Sequence, residues 1–211
     1  MEKHPSARDS ASAFREKDAV RYLSTSLELA GRRGIDSLAG GTVATRSGVL
    51  KTPHDSIMGW GRKPSGRKAV RVARAEQSNF VLLEDGFLRC VDRQDAALSM
   101  VFDDEGIYYD ASAPSTMEKL VAAPLSSPER GRILDLLNTW RMSRLSKYNG
   151  APEYAGPLPE NYVLIIDQTA GDESIEHGFA DAVTFERMLL AALDENPERG
   201  VVVKMHPDVY T

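Results

Sequence analysis

Residues 80–86 read Phe-Val-Leu-Leu-Glu-Asp-Gly, a short apolar run that ends in two carboxylates and a glycine. Residues 163–169 (Val-Leu-Ile-Ile-Asp-Gln-Thr) and 201–206 (Val-Val-Val-Lys-Met-His) repeat this arrangement. Short runs rich in Val, Ile and Leu are typical of buried strands in a parallel sheet. Ligands of open α/β sheets bind outside the carboxyl ends of the strands. The sequence therefore predicts an α/β fold with a ligand site at these strand ends.

Composition limits the class of protein. A chain of 211 residues has room for one domain or two small ones. It contains no apolar run near the roughly 18 residues of a membrane span and no secretory signal, so we expect a cytoplasmic protein. The single cysteine, Cys90, excludes an internal disulfide framework and a cysteine-based zinc site.

The charge is divided unevenly along the chain. Residues 1–75 hold 15 Lys/Arg against 7 Asp/Glu, whereas residues 76–211 hold 11 against 24. Six of the basic residues lie between positions 62 and 74, which predicts either an anionic partner or simply a solvated helix face. A nucleotide, an acidic sugar and an anionic lipid surface all fit such a partner. Nucleic acid does not, because the acidic remainder would repel it and no base-reading element is evident.

Four segments are predicted. Residues 1–12 form a disordered tail, residues 13–148 an N-terminal α/β domain, residues 149–160 a Pro/Gly-rich linker, and residues 161–211 the start of a second α/β domain. The last segment is expected to be incomplete, because two strands and one helix bury too little apolar surface to form a core alone.

Hydrophobic spacing and capping signals predict the individual elements. Helices are expected over 13–33, 66–77, 115–123, 128–147 and 179–195, and extended segments over 56–60, 80–83, 98–102, 107–109, 162–166 and 201–204.

The first strand end whose side chains are suited to catalysis carries Glu84, Asp85 and Gly86. The glycine allows a tight turn, which leaves the carboxylates at the rim of the sheet. A carboxylate in that position is suited to act as a general base or a nucleophile. The same tripeptide is also common in plain turns, so both interpretations stay open.

The second strand end is followed by a polar loop that contains Gln168, Thr169, Asp172 and Ser174. The turn at Gly171 and Ser174 is suited to present backbone N–H groups to an anion, with Asp172 in the mouth of the crevice. The alternative is an ordinary helix cap, which Asp and Ser also provide.

The third strand end carries Lys204, His206 and Pro207. Alternation along the strand predicts that the lysine and the histidine share a face, where they suit a phosphate, a carboxylate or a leaving group that needs a proton. The alternative is a surface turn opened by the proline.

In combination, these motifs resemble one family, the capsule polysaccharide biosynthesis proteins, and most of all the capsular β-Kdo transferases of the KpsC/LipB type. The resemblance runs in order from about residue 57 to residue 210. The motifs that carry it are Trp60-Gly-Arg62, Glu-Asp-Gly-Phe-Leu-Arg at 84–89, Leu-Ser at 98–99, Asp-Asp at 103–104, Gly-Ile-Tyr-Tyr-Asp at 106–110, Ser-Lys-Tyr-Asn at 146–149, the 167–175 loop and Lys204 with His-Pro-Asp at 206–208.

This resemblance implies a GT-B glycosyltransferase with two Rossmann-like domains and a cleft between them. It implies retaining, metal-independent transfer of Kdo from CMP-Kdo to an anionic, lipid-linked acceptor, with no cofactor. The implied partners also include capsule assembly and export proteins, and the implied location is the inner face of the cytoplasmic membrane, as a peripheral protein. A non-catalytic accessory or remnant of the same machinery is the alternative.

The resemblance also implies roles for particular residues. Asp172 is the first choice for the nucleophile and Asp85 the second. His206, with Lys204, is expected to face the CMP phosphate or the sugar carboxylate. Arg62 or Arg89 is expected to pair with the Kdo carboxylate through bidentate hydrogen bonds.

Overall fold

The computed structural model describes residues 19–45, 53–90, 95–147, 149 and 154–206. The predicted tail at 1–12 and the candidate residue Pro207 lie outside the described residues. In order, the described elements are β1 (Val20–Ser24), α1 (Leu27–Ala30), α2 (Ile35–Ala39), β2 (Gly41–Thr45), β3 (Ser56–Trp60), α3 (Pro64–Glu76), β4 (Asn79–Asp85), β5 (Met100–Asp103), α4 (Thr116–Ala122), α5 (Ser127–Met142), β6 (Val163–Ile166), α6 (Glu173–His177), α7 (Ala182–Glu195) and β7 (Val201–Lys204).

The larger sheet has five strands in the order β2-β1-β3-β4-β5. All neighbours are parallel except β4 and β5, which pair antiparallel. Every residue of β3 is buried, and Leu82 and Leu83 of β4 are almost fully buried as well. Central parallel strands are covered on both faces, which explains why their sequences are continuous apolar runs. The predicted fold class, α/β with a Rossmann-like parallel sheet, is confirmed.

The smaller sheet consists of β6 and β7, paired in parallel from Val163 opposite Val201 to Ile166 opposite Lys204. Helices α6 and α7 connect the two strands, so the predicted β-α-β unit is confirmed. The two sheets lie on either side of the Pro/Gly-rich segment 149–160 in the chain. The domain boundaries themselves stay a prediction.

The predicted helix over residues 13–33 is wrong within its described part. Residues Val20–Ser24 form β1, which lies between β2 and β3, and only Leu27–Ala30 is helical in this region. The apolar spacing fitted a helix, but pairing with two neighbouring strands overrides a weak local preference. The extended structure predicted for residues 107–109 is also wrong, because the N–H of Asp110 bonds the carbonyl of Ile107 in a turn.

The predicted helices after β3 and β5 are present. Helix α3 begins at Pro64 and buries Gly66, Ala69 and Ala73 against the sheet. Helix α4 begins with the predicted capping box of Ser115 and Glu118.

Helix α5 ends at Met142, five residues before the predicted end at residue 147. The structure describes every residue of α5, and none of them is buried. No helix in the described ranges is long and apolar enough to span a bilayer.

Candidate functional site

The site is built on the turn from β3 into α3, where glycines allow unusually close packing. A Cβ atom at Gly59 would lie 2.7 Å from the Cα of Gly66, and one at Gly66 would lie 2.6 Å from the carbonyl oxygen of Trp60. Only glycine permits this approach of strand and helix backbones. The turn therefore presents Arg62 and Lys63 at the carboxyl end of β3, beside the first turn of α3.

The first turn of α3 adds a favourable environment for an anion. It contains no acidic residue, and its N-cap residue, Lys63, makes no side-chain capping hydrogen bond. Helix N-termini carry a partial positive charge from unpaired N–H groups. Charge and geometry at this turn therefore favour a negatively charged ligand.

Arg62 is held by two residues of the loop after β5. Its backbone N–H donates to the hydroxyl of Tyr109 (2.9 Å), and its guanidinium forms an ion pair with Asp110. The Asp110 carboxylate is 1 % exposed and also accepts from the N–H (2.9 Å) and hydroxyl (2.6 Å) of Ser112. Burial acts to raise the pKa of Asp110, but the Ser112 hydrogen bonds and the Arg62 charge outweigh it, so the pKa lies below its ordinary value.

His177 connects this cluster to the second half of the chain. Its Nε2 lies 3.2 Å from Glu173 Oε2, its Nδ1 lies 3.9 Å from Asp110 Oδ2, and its carbonyl accepts from the N–H of Ala111 (3.0 Å). Arg67 of α3 approaches Glu173 at 3.5 Å. These contacts bring α6, which follows β6, against the loops at the carboxyl end of the five-stranded sheet.

Glu84 faces the same turn. Its Oε2 lies 3.2 Å from the position that a Cβ at Gly61 would occupy, close to the Tyr109 hydroxyl. Burial, together with the Asp85 charge, raises the pKa of Glu84, against the opposing N–H of Asp85 and the charges of Lys147 and Lys63. Glu84 therefore holds a proton at higher pH than an ordinary glutamate does.

Asp172 approaches from the other sheet. It is the N-cap of α6 and accepts from the N–H of Ser174 (2.8 Å), so the capping interpretation is confirmed as geometry. Partial desolvation by surrounding residues acts to raise the pKa of Asp172. The Ser174 hydrogen bonds and the charges of Lys63 and His206 outweigh this effect and hold the pKa below its ordinary value. Lys63 thus acts electrostatically on both Asp172 and Glu84.

The remaining candidates from the 167–206 region fall around Asp172. The Nδ1 of His206 lies 2.8 Å from the hydroxyl of Thr169. Gln168 and Lys204 are exposed at the ends of β6 and β7. The structure therefore brings together Asp172, His206 and Thr169, whose chemical roles stay predictions.

Asp85 does not share the surroundings of Glu84. Side chains alternate along a strand, and Asp85 instead contacts Arg89 (2.9 Å) and Arg32 (3.8 Å). The expectation that Asp85 faces the same cleft as Asp172 and His206 stays a prediction, because the described contacts of Asp85 are to these two arginines. Gly86 closes the strand as predicted, with its N–H bonded to the Ser99 carbonyl (3.0 Å).

Sequence reasoning missed five contributors to this site, namely Lys63, Tyr109, Asp110, Lys147 and His177. The first four lie within or beside the family motifs quoted above, but a sequence motif does not reveal which side chains are in contact in the folded protein. His177 has no histidine or cysteine at metal-ligand spacing in the sequence, so the sequence around it predicts only a structural role. Within the described ranges no group of three His, Cys, Asp or Glu side chains is arranged to hold a metal ion. Metal independence stays a prediction.

Comparison with known proteins gives the family. The model of the family described as "Capsule polysaccharide biosynthesis protein" matches residues 55–149 and 156–211. The chain belongs to this capsule polysaccharide biosynthesis family. The resemblance stated from the sequence motifs is thereby confirmed.

Two relatives from this comparison differ greatly from the chain in length. The chain is 42 % identical over 166 residues to the capsule polysaccharide modification protein LipA of Neisseria meningitidis serogroup B, which covers 74 % of the chain and 24 % of LipA. It is 33 % identical over 159 residues to the lipopolysaccharide-processing protein LpsZ of Rhizobium meliloti, covering 68 % of the chain and 36 % of LpsZ. The chain thus spans about a quarter to a third of these relatives.

Two solved structures share its fold, both from KpsC of Thermosulfurimonas dismutans. The β Kdo 2,4 transferase superposes with a TM-score of 0.81 at 35 % identity, covering 90 % of the chain and 62 % of that structure. The β Kdo 2,7 transferase gives a TM-score of 0.60 at 23 % identity, with 92 % and 62 % covered, and supports the fold alone.

Proposed function

We propose that this capsule polysaccharide biosynthesis protein transfers Kdo from CMP-Kdo to a lipid-linked acceptor as a retaining glycosyltransferase. The proposal is supported by the packing of α6 against the loop after β5 through His177, Asp110 and Ala111, which brings the Asp172 end of α6 to the side of the sheet where Glu84 faces the turn at Gly61. The charge of Lys63 acts on both carboxylates. The likeness to the KpsC β Kdo 2,4 transferase supports this assignment, although the chain spans only 62 % of that structure.

Asp172 has the properties of a nucleophile in this reaction. Its lowered pKa keeps it ionised at neutral pH, and it is exposed at the start of α6. In the proposed first step a carboxylate oxygen bonds to the anomeric carbon of Kdo while the bond to the phosphate oxygen breaks. The electron pair of that bond leaves on CMP. An acceptor hydroxyl then displaces Asp172, and the two inversions give net retention.

Glu84 has the properties of the proton acceptor in the second step. Burial raises its pKa, which brings a carboxylate closer to the range in which it exchanges protons near neutral pH. In the proposed step the proton of the acceptor hydroxyl passes to Glu84 as the hydroxyl oxygen attacks.

Positive charge around the leaving group completes the proposed machinery. The charges of Lys63 and His206 both act on Asp172, and together with the first turn of α3 they are proposed to bind the CMP phosphate. Neutralising the phosphate stabilises CMP as it departs, which is the contribution that a metal ion makes in other transferases. The basic residues between 62 and 74 are proposed to attract the anionic lipid surface that carries the acceptor.

A cap-matched pair of variants tests the nucleophile. Asp172→Asn removes the nucleophile but retains an N-cap residue of equal quality. Asp181→Asn makes the same change at the N-cap of α7, where Asp181 accepts from the N–H of Thr184 (2.8 Å). Each protein is incubated with CMP-Kdo and a Kdo-bearing glycolipid, and the product is measured by mass spectrometry.

We expect Asp172→Asn to lose transfer by several orders of magnitude and Asp181→Asn to retain it. NMR of the product's anomeric configuration checks the stereochemistry, and inversion would exclude a covalent Asp172 intermediate. Absence of both transfer and CMP binding by calorimetry in the unaltered protein would favour the accessory function instead.

A further inference from the structure

We propose that a cavity on the Asp85 side of β4 binds the acidic group of the acceptor, a carboxylate or a phosphate carried on a hydroxylated molecule. The cavity has a volume of about 360 Å³, and its described lining includes Arg32, Arg33, Asp85, Arg89, Asp95 and Met100. This size is within the usual range for small-molecule sites. The identification of the ligand as the acceptor rests on the proposed function, whereas the binding of an acid does not.

The cavity carries an arginine, Arg32, whose side chain donates no hydrogen bond to any residue that the structure describes. The guanidinium carbon of Arg32 lies 4.1 Å from the centre of the Trp60 ring, which is a cation–π contact. The Arg32 nitrogen closest to Asp85 lies 3.8 Å from the carboxylate, too far for a hydrogen bond. Stacking fixes the plane of the guanidinium and leaves its N–H groups to face a ligand oxygen.

A buried oxygen beside Arg32 lacks a hydrogen-bond donor. Arg89 Nε lies 2.9 Å from Oδ2 of Asp85, but no described residue donates a hydrogen bond to the buried Oδ1. A buried acceptor left in this state costs about 1–3 kcal/mol. A ligand hydroxyl would satisfy Oδ1 while the ligand's acidic group faces Arg32 and Arg33.

The cavity is linked to the candidate catalytic cluster through Trp60. The ring of this buried tryptophan has Arg32 at 4.1 Å and Lys63 Nζ at 6.0 Å from its centre. Lys63 in turn acts on both Glu84 and Asp172. Glu84 and Asp85 are the last two residues of β4, so an acceptor anchored by its acidic group in the cavity would reach the reacting carboxylates around the end of that strand. This arrangement gives Asp85 a binding role in place of the nucleophilic role expected from the sequence.

The test measures binding of small acids and needs no turnover. Calorimetry of the unaltered protein compares free Kdo, glycerol 1-phosphate and the neutral sugar glucose. Arg33→Gln and Arg32→Gln remove the charges, and Arg130→Gln, an exposed arginine of α5 that does not line the cavity, is the matched control. We expect an acid to bind and glucose not to, with at least about a tenfold loss in both cavity variants and none in the control.

The outcome separates the two sources of the acid. Binding of Kdo but not of glycerol 1-phosphate assigns the cavity to a sugar carboxylate, and the reverse assigns it to the lipid phosphate. The proposal would be overturned if neither acid binds, if glucose binds equally well, or if the affinity for the acid is unchanged in both cavity variants. CMP binding measured on the same variants should stay unchanged. If the unaltered protein does not bind CMP, this counts against the proposed transferase function. The acid-binding result would then stand independently of that function.

Discussion

The close packing of β3 and α3 gives the most direct test of how the site is built. Replacing Gly66 by Ala places a methyl carbon 2.6 Å from the carbonyl oxygen of Trp60 and 2.8 Å from the carbonyl carbon of Gly61. Both contacts are to backbone, which cannot rotate away as a side chain would. The turn that carries Arg62 and Lys63 must therefore shift.

The magnitude follows from two opposing effects. Alanine is favoured over glycine in a helix interior by about 1 kcal/mol, whereas forcing a methyl group into a filled space costs about 1–3 kcal/mol. Contact with backbone favours the upper part of the second range, so we expect Gly66→Ala to lose about 1–2 kcal/mol. Gly131 of α5 is the matched control, because among described residues nothing lies within 4 Å of its would-be Cβ. There the same change should gain about 0.5–1 kcal/mol.

Urea and thermal denaturation followed by circular dichroism measure both variants. A difference of about 1.5–3 kcal/mol between them corresponds to roughly 3–12 °C in melting temperature for a chain of this size. CMP affinity should fall in Gly66→Ala and stay unchanged in Gly131→Ala. If the two variants are equally stable, the close approach of strand and helix is refuted, and with it the stated reason for the position of Arg62 and Lys63.

Three further predictions concern the carboxylates. Asp103 is fully buried and accepts from the N–H groups of Glu105, Gly106 and Thr116; burial acts to raise its pKa, but these bonds outweigh it and hold the pKa below its ordinary value. Its stabilising effect is therefore complete above the unfolded pKa and is lost as pH falls through the lower folded pKa, so Asp103→Asn should cost about 1.5–3 kcal/mol at pH 7 and flatten the acid limb of a stability–pH curve. An acid limb as steep as that of the unaltered protein would count against this. Arg62→Ala should destabilise the fold by about 3–5 kcal/mol by leaving Asp110 buried without its guanidinium, and a double-mutant cycle with Asp110→Asn should show coupling of at least about 0.5 kcal/mol. Additive losses in urea denaturation would show that the pair does not interact. Glu84→Gln should reduce the rate of Kdo transfer by roughly 10²–10⁴-fold and remove the acidic limb of the pH–rate profile, with CMP affinity unchanged in calorimetry. An unaltered pH–rate profile would exclude Glu84 as the acid–base group.

The sequence predicted the elements whose pattern is set locally. The apolar runs of β3, β4, β6 and β7 are strands because they are short, rich in Val, Ile and Leu, and closed by turn residues. The capping box at Ser115 and Glu118 likewise identified the start of α4, because the two side chains satisfy each other's backbone within one turn.

The secondary-structure predictions were wrong where residues distant in sequence determine the local conformation. The apolar spacing of Val20–Ser24 predicts a helix, yet this segment forms the strand between β2 and β3. Its pairing partners lie more than 20 residues further along the chain. The sequence predicts extended structure at residues 107–109, but the segment forms a turn. The carboxylate of Asp103 accepts hydrogen bonds from the backbone N–H groups of Gly106 and Thr116, at the two ends of the loop. Local sequence does not record such long-range pairing.

By itself, the sequence determined the α/β class, the family and the strand ends at which chemistry is expected, because apolar runs and turn-forming motifs express these properties in neighbouring residues. Only the tertiary structure decided which side chains meet. Glu84 and Asp85 are adjacent in sequence, but strand alternation sends Glu84 toward Gly61 and Tyr109 and Asp85 toward Arg32 and Arg89. The partners on the two sides come from the loop after β5 and the segment after α1, and packing between residues up to about fifty positions apart is a property of the folded molecule.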